Sequence, residues 1–352
     1  MPTTRRTPTT RKTPTTRKTW STWLPLVLAA ALLGAACGTD ERGASGPGTD
    51  STTAATSTAY PVTVENCGAK VTFDEPPKRV ILLESAPVTI LQGLGVLDSV
   101  VLRAGAFPKE YYDDETNAAI DAIPSLGEDI DINGHLQISQ ESVIAQQPDL
   151  VLGLPDGFTR ESLAAVGINA LIQPIYCPNY SGTTSFDTIY DQIETYGTIF
   201  DRPKEAAALI DSLKQRVAAV EKSVEGTPKR TAAVLFPTVG GGTGYAYGNK
   251  SMAHPQLEAA GFTNVFGDVD ERVFEVTLEQ LIDRDPAVLV LLYVDGDPEA
   301  VKDAIVNLPG ADALTAVQND DILVQLFNFT EPPTPLSVDG LERIARHFST
   351  TS

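Results

Sequence analysis

The chain of 352 residues is 42% hydrophobic and 20% charged, enough apolar residue to fill two cores of ordinary size. Its formal net charge of -20 argues against nucleic acid as a partner, because phosphate would be repelled over the whole surface. The body is more acidic than this total suggests, since Arg5, Arg6, Arg11, Lys12, Arg17 and Lys18 crowd into an N-terminal repeat of Thr, Arg, Lys and Pro.

That basic stretch leads into an apolar, small-residue-rich run from Trp20 to Ala36, followed by Cys37-Gly38. The pattern is that of a signal peptide, a little short for a membrane span and without a stop-transfer flank. Leu32-Leu33-Gly34-Ala35-Ala36-Cys37 resembles a bacterial lipobox, in which the cysteine is acylated and becomes the mature N-terminus. Gly34 stands where a large aliphatic residue is usual, with Leu33 one place earlier. Residues 1–37 are therefore expected to be a signal segment ending at a lipidated Cys37, with plain secretion or an uncleaved anchor as the alternatives. Residues 38–59 are Ser, Thr, Gly and Ala with few charges, the composition of a flexible tether. Such a protein would sit on the outer face of the cytoplasmic membrane. In an oxidising compartment, Cys67 and Cys177 are expected to pair as a disulfide.

Residues 60–200 alternate short buried strands (near Val80, Ser99, Leu150 and Ala170) with helical stretches, which favours a mainly parallel sheet covered on both faces. A long amphipathic helix then runs from about Arg202 to Val224. Ala206, Leu209, Ile210, Leu213, Val217 and Val220 form its apolar stripe, Pro203 fits its first turn, and Gly226 with Pro228 ends it. Residues 201–226 are expected to be a strut between two α/β lobes, although the same pattern fits an ordinary crossover helix within one sheet. Residues 227–352 repeat the alternation, with strands near Thr231, Val288 and Ile322 and a closing helix from Leu336.

The two halves share a finer feature. Glu141 stands seven residues before Pro148, which opens the strand Leu150-Val151-Leu152; Glu279 stands seven before Pro286, which opens Val288-Leu289-Val290-Leu291. Two carboxylates thus occupy the first turn of equivalent helices. A carboxylate there also complements the helix dipole, which is a sufficient reason for it by itself.

Several segments together resemble the substrate-binding proteins of ABC importers for ferric siderophores and vitamin B12. They are Pro76-Pro77-Lys78-Arg79-Val80-Ile81-Leu82, the stretch from Glu141 through Pro148-Asp149-Leu150, Tyr247-Gly248-Asn249 with Leu257-Glu258-Ala259-Ala260-Gly261, and Val276-Thr277-Leu278-Glu279. The likeness runs from about Val62 to His347. It implies two Rossmann-like lobes with mainly parallel sheets, joined by one long helix, with ligand held in the cleft between them. It also implies a monomer that docks through one glutamate per lobe, here Glu141 and Glu279, onto an ABC permease dimer in the membrane.

In such a fold the ligand lies beyond the carboxyl ends of the strands. The aromatics of those segments, Phe107, Tyr111, Tyr112, Phe158, Tyr176, Tyr245, Tyr247 and Tyr293, are the candidate ligand contacts. Cations are few there (Arg103, Lys109, Arg160, Lys250), whereas Glu84, Asp156 and Asp295 would tolerate a cation. A strongly anionic catecholate complex would want clustered arginines. A hydroxamate-type ferric siderophore is therefore favoured, with a corrinoid or haem as the alternative and a lipid-tethered scaffold as the reading without transport.

No catalytic residue, cofactor or resident metal is expected. His135, His254 and His347 are too scattered for a metal site. Ser251 and His254 lack a nucleophile elbow. Asn249 interrupts the near phosphate loop at Gly244 to Ser251.

Overall fold

The computed structural model describes residues 58–130, 135–178, 180, 182–240 and 244–349; the expected signal segment, Cys37 and nearly all of the tether lie outside them. The first lobe opens with an antiparallel hairpin, β1 (Val62–Asn66) and β2 (Ala69–Phe73), closed by Cys67-Gly68. Both turn residues have positive φ (54° and 74°), the geometry that follows strand twist in a two-residue hairpin. Parallel strands β3 (Val80–Leu82), β4 (Val100–Arg103), β5 (Leu150–Leu152) and β6 (Asn169–Leu171) lie in the order β4-β3-β5-β6. Helices α1 (Val88–Gly93), α2 (Asp114–Ala122), α3 (Gln140–Ile144) and α4 (Arg160–Ala164) return the chain between them, and α5 (Phe186–Ile199) closes the lobe.

Helix α6 (Pro203–Ser223) carries the chain to the second sheet, formed by β7 (Arg230–Phe236), β8 (Gly244–Tyr247), β9 (Phe262–Asn264), β10 (Val273–Val276), β11 (Val288–Tyr293) and β12 (Ile322–Leu326). Its order is β10-β8-β7-β11-β12, with β9 also paired to β7. β11 runs parallel to β7 and β12, while β8 runs antiparallel to β7 and β10. The helices of this lobe are α7 (Ala253–Ala259), α8 (Leu278–Arg284), α9 (Pro298–Val306), α10 (Thr315–Gln318) and α11 (Pro335–Ser349).

The expectation of two α/β lobes joined by one long helix agrees with this architecture. The chain departs from it in the antiparallel strands β8 and β10, which the sequence pattern did not reveal. β8 is a four-residue strand with two tyrosines beside a glycine-rich loop, too short for its period of two to stand out.

Alternate residues of the central strands face different cores, as two-sided burial requires. Val80 and Leu82, Leu150 and Leu152, and Val288, Val290 and Leu292 belong to one apolar cluster that runs through both lobes. Ile81 and Val151 face a second cluster outside lobe one, and Leu289 and Leu291 a third outside lobe two. The apolar stripe of α6 joins the large cluster: Ala206, Leu213, Val217 and Val220 are buried in it, with Leu209 and Ile210 packed alongside. The helix packs on α1 and α5 of the first lobe and on α7 and α11 of the second. At its start, Gly197 of α5 lies so close that a Cβ there would come within 2.5 Å of the Ala206 Cβ. At its centre, Arg216 takes both carboxylate oxygens of Glu342 at 2.8 Å and also bonds Asp339, both on α11. The 21-residue helix, about 30 Å long at the usual rise, is thus less a free rod than a shared wall packed against the two lobes.

Cys67 and Cys177 form a disulfide that ties the hairpin tip to the segment after β6. Asn66 reinforces the tie, bonding both the N–H and the carbonyl of Ile172 at 2.9 Å, and Arg160 donates to Asn66 from below.

Leu213→Ala should lower unfolding free energy by about 2–4 kcal/mol and still give a single denaturation transition, because the lobes share one core. Two separate transitions, one per lobe, would contradict the continuous core. Reducing Cys67–Cys177 should cost on the order of 3–5 kcal/mol from its long closed loop, seen as a lower melting temperature with the secondary structure below it unchanged.

Candidate functional site

The carboxyl ends of β3, β5 and β6 face those of β7, β11 and β12 across a cleft, and the loops that leave these strands line it. Three regions can be distinguished along it.

At one end, a cavity of about 380 Å³ is bounded by Phe107, Glu110 and Glu128 of lobe one and by Tyr293, Asp295 and Leu326 of lobe two. Partial burial raises the pKa of the Tyr293 hydroxyl, helped by the carboxylates of Glu110, Asp295 and Asp297 and opposed by Arg343. A larger depression of about 530 Å³ lies over α2. It is confined to lobe one, so the inter-lobe cavity is the better candidate for a site that depends on both lobes.

In the middle the lobes touch. Asn328 donates its backbone N–H to the Tyr111 hydroxyl at 3.0 Å and its side-chain amide to Ser85 at 3.0 Å. The Tyr111 ring meets Phe329 edge-on at 5.2 Å, and the Tyr112 hydroxyl donates to the Ser85 carbonyl at 3.0 Å. Burial pushes both tyrosine hydroxyls well above their ordinary pKa.

At the far end Tyr176 of lobe one faces Arg272 of lobe two, whose guanidinium carbon lies 5.5 Å from the ring centroid. Tyr176 is 38% exposed although protein surrounds its hydroxyl closely enough to raise its pKa far above normal, the combination expected of a residue lining a deep cleft. Arg272 is held from behind by Glu331, which is fully buried and also accepts the Met252 N–H at 3.1 Å. Burial pushes the Glu331 carboxyl upward against the opposing pull of Arg272. Beside Tyr176 lies Glu84, at the end of β3. Desolvation raises its carboxyl to about 7, the neighbouring Gln173 amide acting in the opposite direction.

The eight expected ligand contacts therefore divide. Phe107 and Tyr293 line the cavity, Tyr176 lines the far end, and Tyr111 and Tyr112 form the lobe contact between them. Tyr245 is exposed at the start of β8. Phe158 and Tyr247 are placed in the interior instead: Phe158 packs with Ile81, Val151 and Leu163, and Tyr247 is 3% exposed beneath Arg272 and Glu331. Strand-following position alone did not separate rings turned inward from rings turned to the cleft.

The four expected cleft cations all have partners. Arg103 pairs with Glu128 at 3.2 Å, Lys109 with Asp121 at 2.9 Å and Lys250 with Asp270 at 3.0 Å, while Arg160 serves Asn66. Of the expected acidic residues, Asp295 lines the cavity and Glu84 lies near Tyr176, whereas Asp156 projects into solvent at 90% exposure. The sequence reading missed Arg272. Its only signal was a lone basic residue after the acidic run Asp268-Val269-Asp270-Glu271, which does not reveal a buried partner 59 positions away.

Glu141 and Glu279 are both exposed in the first turns of α3 and α8. Each follows an N-cap two residues earlier, Ser139 and Thr277, whose hydroxyl accepts the N–H three residues on at 3.3 Å. Six residues after each glutamate the chain adopts positive φ, at Gln147 (53°) and Asp285 (38°), before the proline that leads into β5 or β11. The two units are therefore structural counterparts, and neither glutamate has an internal partner among the described residues. Among the described residues no group of three or more His, Cys, Asp or Glu side chains is arranged to hold a metal ion, and Ser251 donates its hydroxyl to the Gly248 carbonyl at 2.7 Å.

The periplasmic binding protein family model matches residues 80–324, and the chain belongs to that family of solute-binding proteins. A crystal structure from the ABC-type Fe3+-hydroxamate transport system of Saccharomonospora viridis is 73% identical, covering 82% of this chain and 99% of that one with a TM-score of 0.79. A cobalamin-binding protein of Halobacterium salinarum is 25% identical over 303 residues, 84% of this chain and 76% of its own length. A vitamin B12-binding protein of Vibrio parahaemolyticus is 24% identical over 285 residues, 78% of this chain and 90% of its own.

Arg272→Met should leave Glu331 buried without its ion pair and cost about 3–5 kcal/mol. The Glu331 carboxyl is already raised in the folded state. Stability from its bound proton is fully present below the unfolded carboxylate value and is lost as pH rises through the higher folded one. Melting curves of the variant should therefore be closest to wild type at acid pH and fall away toward neutrality; a deficit constant with pH would show that Glu331 is not the group left unpaired.

Proposed function

We propose that this chain is the substrate-binding component of an ABC importer, that it takes a ferric hydroxamate complex into the inter-lobe cleft, and that it delivers the complex to a membrane permease. The observation that carries this reading is the 73% identity, over 99% of its length, to a protein of an Fe3+-hydroxamate transport system. The charge pattern of the cleft supports it. Arg272 is balanced by Glu331, and Arg103, Lys109, Arg160 and Lys250 are engaged, which leaves exposed Arg343 on the Phe329 ring rather than the clustered arginines that a strongly anionic catecholate complex would want. A hydroxamate complex presents oxygen atoms with little net charge, which suits the N–H and O–H groups of Arg272 and Tyr176 and the rings of Phe107 and Tyr293.

Glu141 and Glu279 are the proposed docking knobs. Equivalent turns place them one on each lobe at the amino ends of helices, beside the carboxyl ends of the strands, where they can pair with arginines of a two-fold permease. Cys37 is the proposed lipid attachment point and residues 38–59 the tether, with the protein acting as a monomer.

With the full-length protein, saturable thermal stabilisation by a ferric trihydroxamate, and none by a ferric tris-catecholate, is expected. Stabilisation by cyanocobalamin alone would instead move the assignment to a corrinoid, as the cobalamin-binding relatives suggest. Changing Glu141 and Glu279 together to Ala should leave ligand affinity within about twofold, since both side chains are exposed and neither lines the inter-lobe cavity, while cellular uptake of radio-iron from the complex falls to background. Unchanged uptake would remove the docking role. Mass spectrometry of membrane-extracted protein should find Cys37 diacylated at the N-terminus.

A further inference from the structure

Glu84 is a carboxyl at the floor of the cleft for which the proposed ligand capture has so far found no use. Its side chain lies over the end of β5 in a space that only glycine leaves open: a Cβ on Gly153 would stand 3.0 Å from its Cγ. Gly153 also has φ of 95°, so backbone and side-chain space both require glycine. Behind Glu84, Gln192 of α5 donates to the Oε1 of Gln173, and this fixes the Gln173 amide with its nitrogen turned away from Gln192. That nitrogen is fully buried and completes no hydrogen bond of normal geometry, although the amide lies beside the Glu84 carboxyl.

The groups that face Glu84 are donors or neutral rings. From the β6 end come Gln173 and Tyr176 and from α5 Tyr196, with Gln192 behind Gln173; Arg272 of the second lobe stands against the Tyr176 ring, paired with Glu331. The hydroxyls of Tyr176, Tyr196 and Tyr247 are all held protonated by burial. Among the described residues no cation acts on Glu84 to hold it as a carboxylate, and the opposing pull of the Gln173 amide is outweighed by desolvation.

Resting on the ferric hydroxamate reading above, we propose that Glu84 binds as the neutral acid, donating its proton in a hydrogen bond to an oxygen of the bound complex beside the donors of Tyr176 and Arg272. Ligand capture is then coupled to proton uptake. In the free protein desolvation places the carboxyl at about 7, so near neutral pH part of the population is ionised. A hydrogen bond donated from the neutral form favours that form and raises the value further in the complex. The sign follows: affinity is constant below about 7, where free and bound protein are both protonated, and falls as pH rises above it, by up to about tenfold per pH unit.

The test measures dissociation constants of the full-length protein for ferrichrome, a neutral ferric trihydroxamate, from pH 5.5 to 8.5, for wild type and Glu84→Gln. The amide keeps a donor but cannot titrate, so the variant should bind with a flat profile and overtake wild type at alkaline pH. As a measurement that needs no variant, calorimetry of wild type near neutrality in two buffers of different ionisation enthalpy should register net proton uptake on binding. Parallel profiles for wild type and variant, affinity that rises with pH, or proton release would each overturn the inference while leaving the ligand reading in place. Absence of binding at every pH would overturn the ligand reading first, and this inference with it.

Discussion

Everything else in this protein depends on the burial of one apolar stripe, that of α6, between two lobes. Because Leu213, Val217 and Val220 belong to the same cluster as Val80 of one sheet and Val288 of the other, the lobes cannot separate along their backs without exposing core. The Arg216 contacts to Asp339 and Glu342 fix the lengthwise position of α6 on α11, adding directional bonds to an otherwise non-directional contact. On the cleft side the joining contacts are more polar: Tyr111 and Ser85 with Asn328, Tyr176 with Arg272, and the Thr184 hydroxyl with the Lys250 carbonyl at 2.6 Å, beside one small apolar contact of the Tyr111 ring on Phe329. A wall that holds and a mouth that can be remade are what gripping and releasing a ligand requires.

The cleft is also electrostatically quiet for so acidic a chain. Its buried ion pair, Arg272 with Glu331, gives little net charge to the ligand, and burial of Glu331 is tolerable only because Arg272 and the Met252 N–H satisfy it. Other carboxylates, Glu110, Asp295 and Asp297, gather around Tyr293, with Arg343 opposing them. The lobe contact at Tyr111 adjoins this acidic end, since Tyr111 and Tyr293 pack in one small cluster with Leu326 and Phe329.

Much of the architecture was legible in the residues, and the reasons are local. The stripe of α6, the all-apolar runs of β3, β5 and β11, and the matched Glu-to-Pro spacing are periodicities or distances along the chain, and the structure turns the last of these into matching caps and matching left-handed residues at Gln147 and Asp285. The cysteine pair was legible for a chemical reason, since two thiols in a chain expected to be exported have few other partners. The cleft was less so. Phe158 and Tyr247 follow strands as Phe107 and Tyr293 do, and only packing decides which way a ring turns.

By itself, then, the sequence determined the alternation of strand and helix, the single long amphipathic helix, the disulfide partners and the internal repeat, because each is set by hydrophobic period, spacing or composition over a few neighbouring residues. Tertiary structure alone decided that α6 is a shared wall, that β8 and β10 run against their neighbours, that Arg272 is paired with Glu331 and that Glu84 lies in the space left by Gly153. Those facts join residues tens of positions apart, and they depend on desolvation and close approach, which exist only once the lobes are packed.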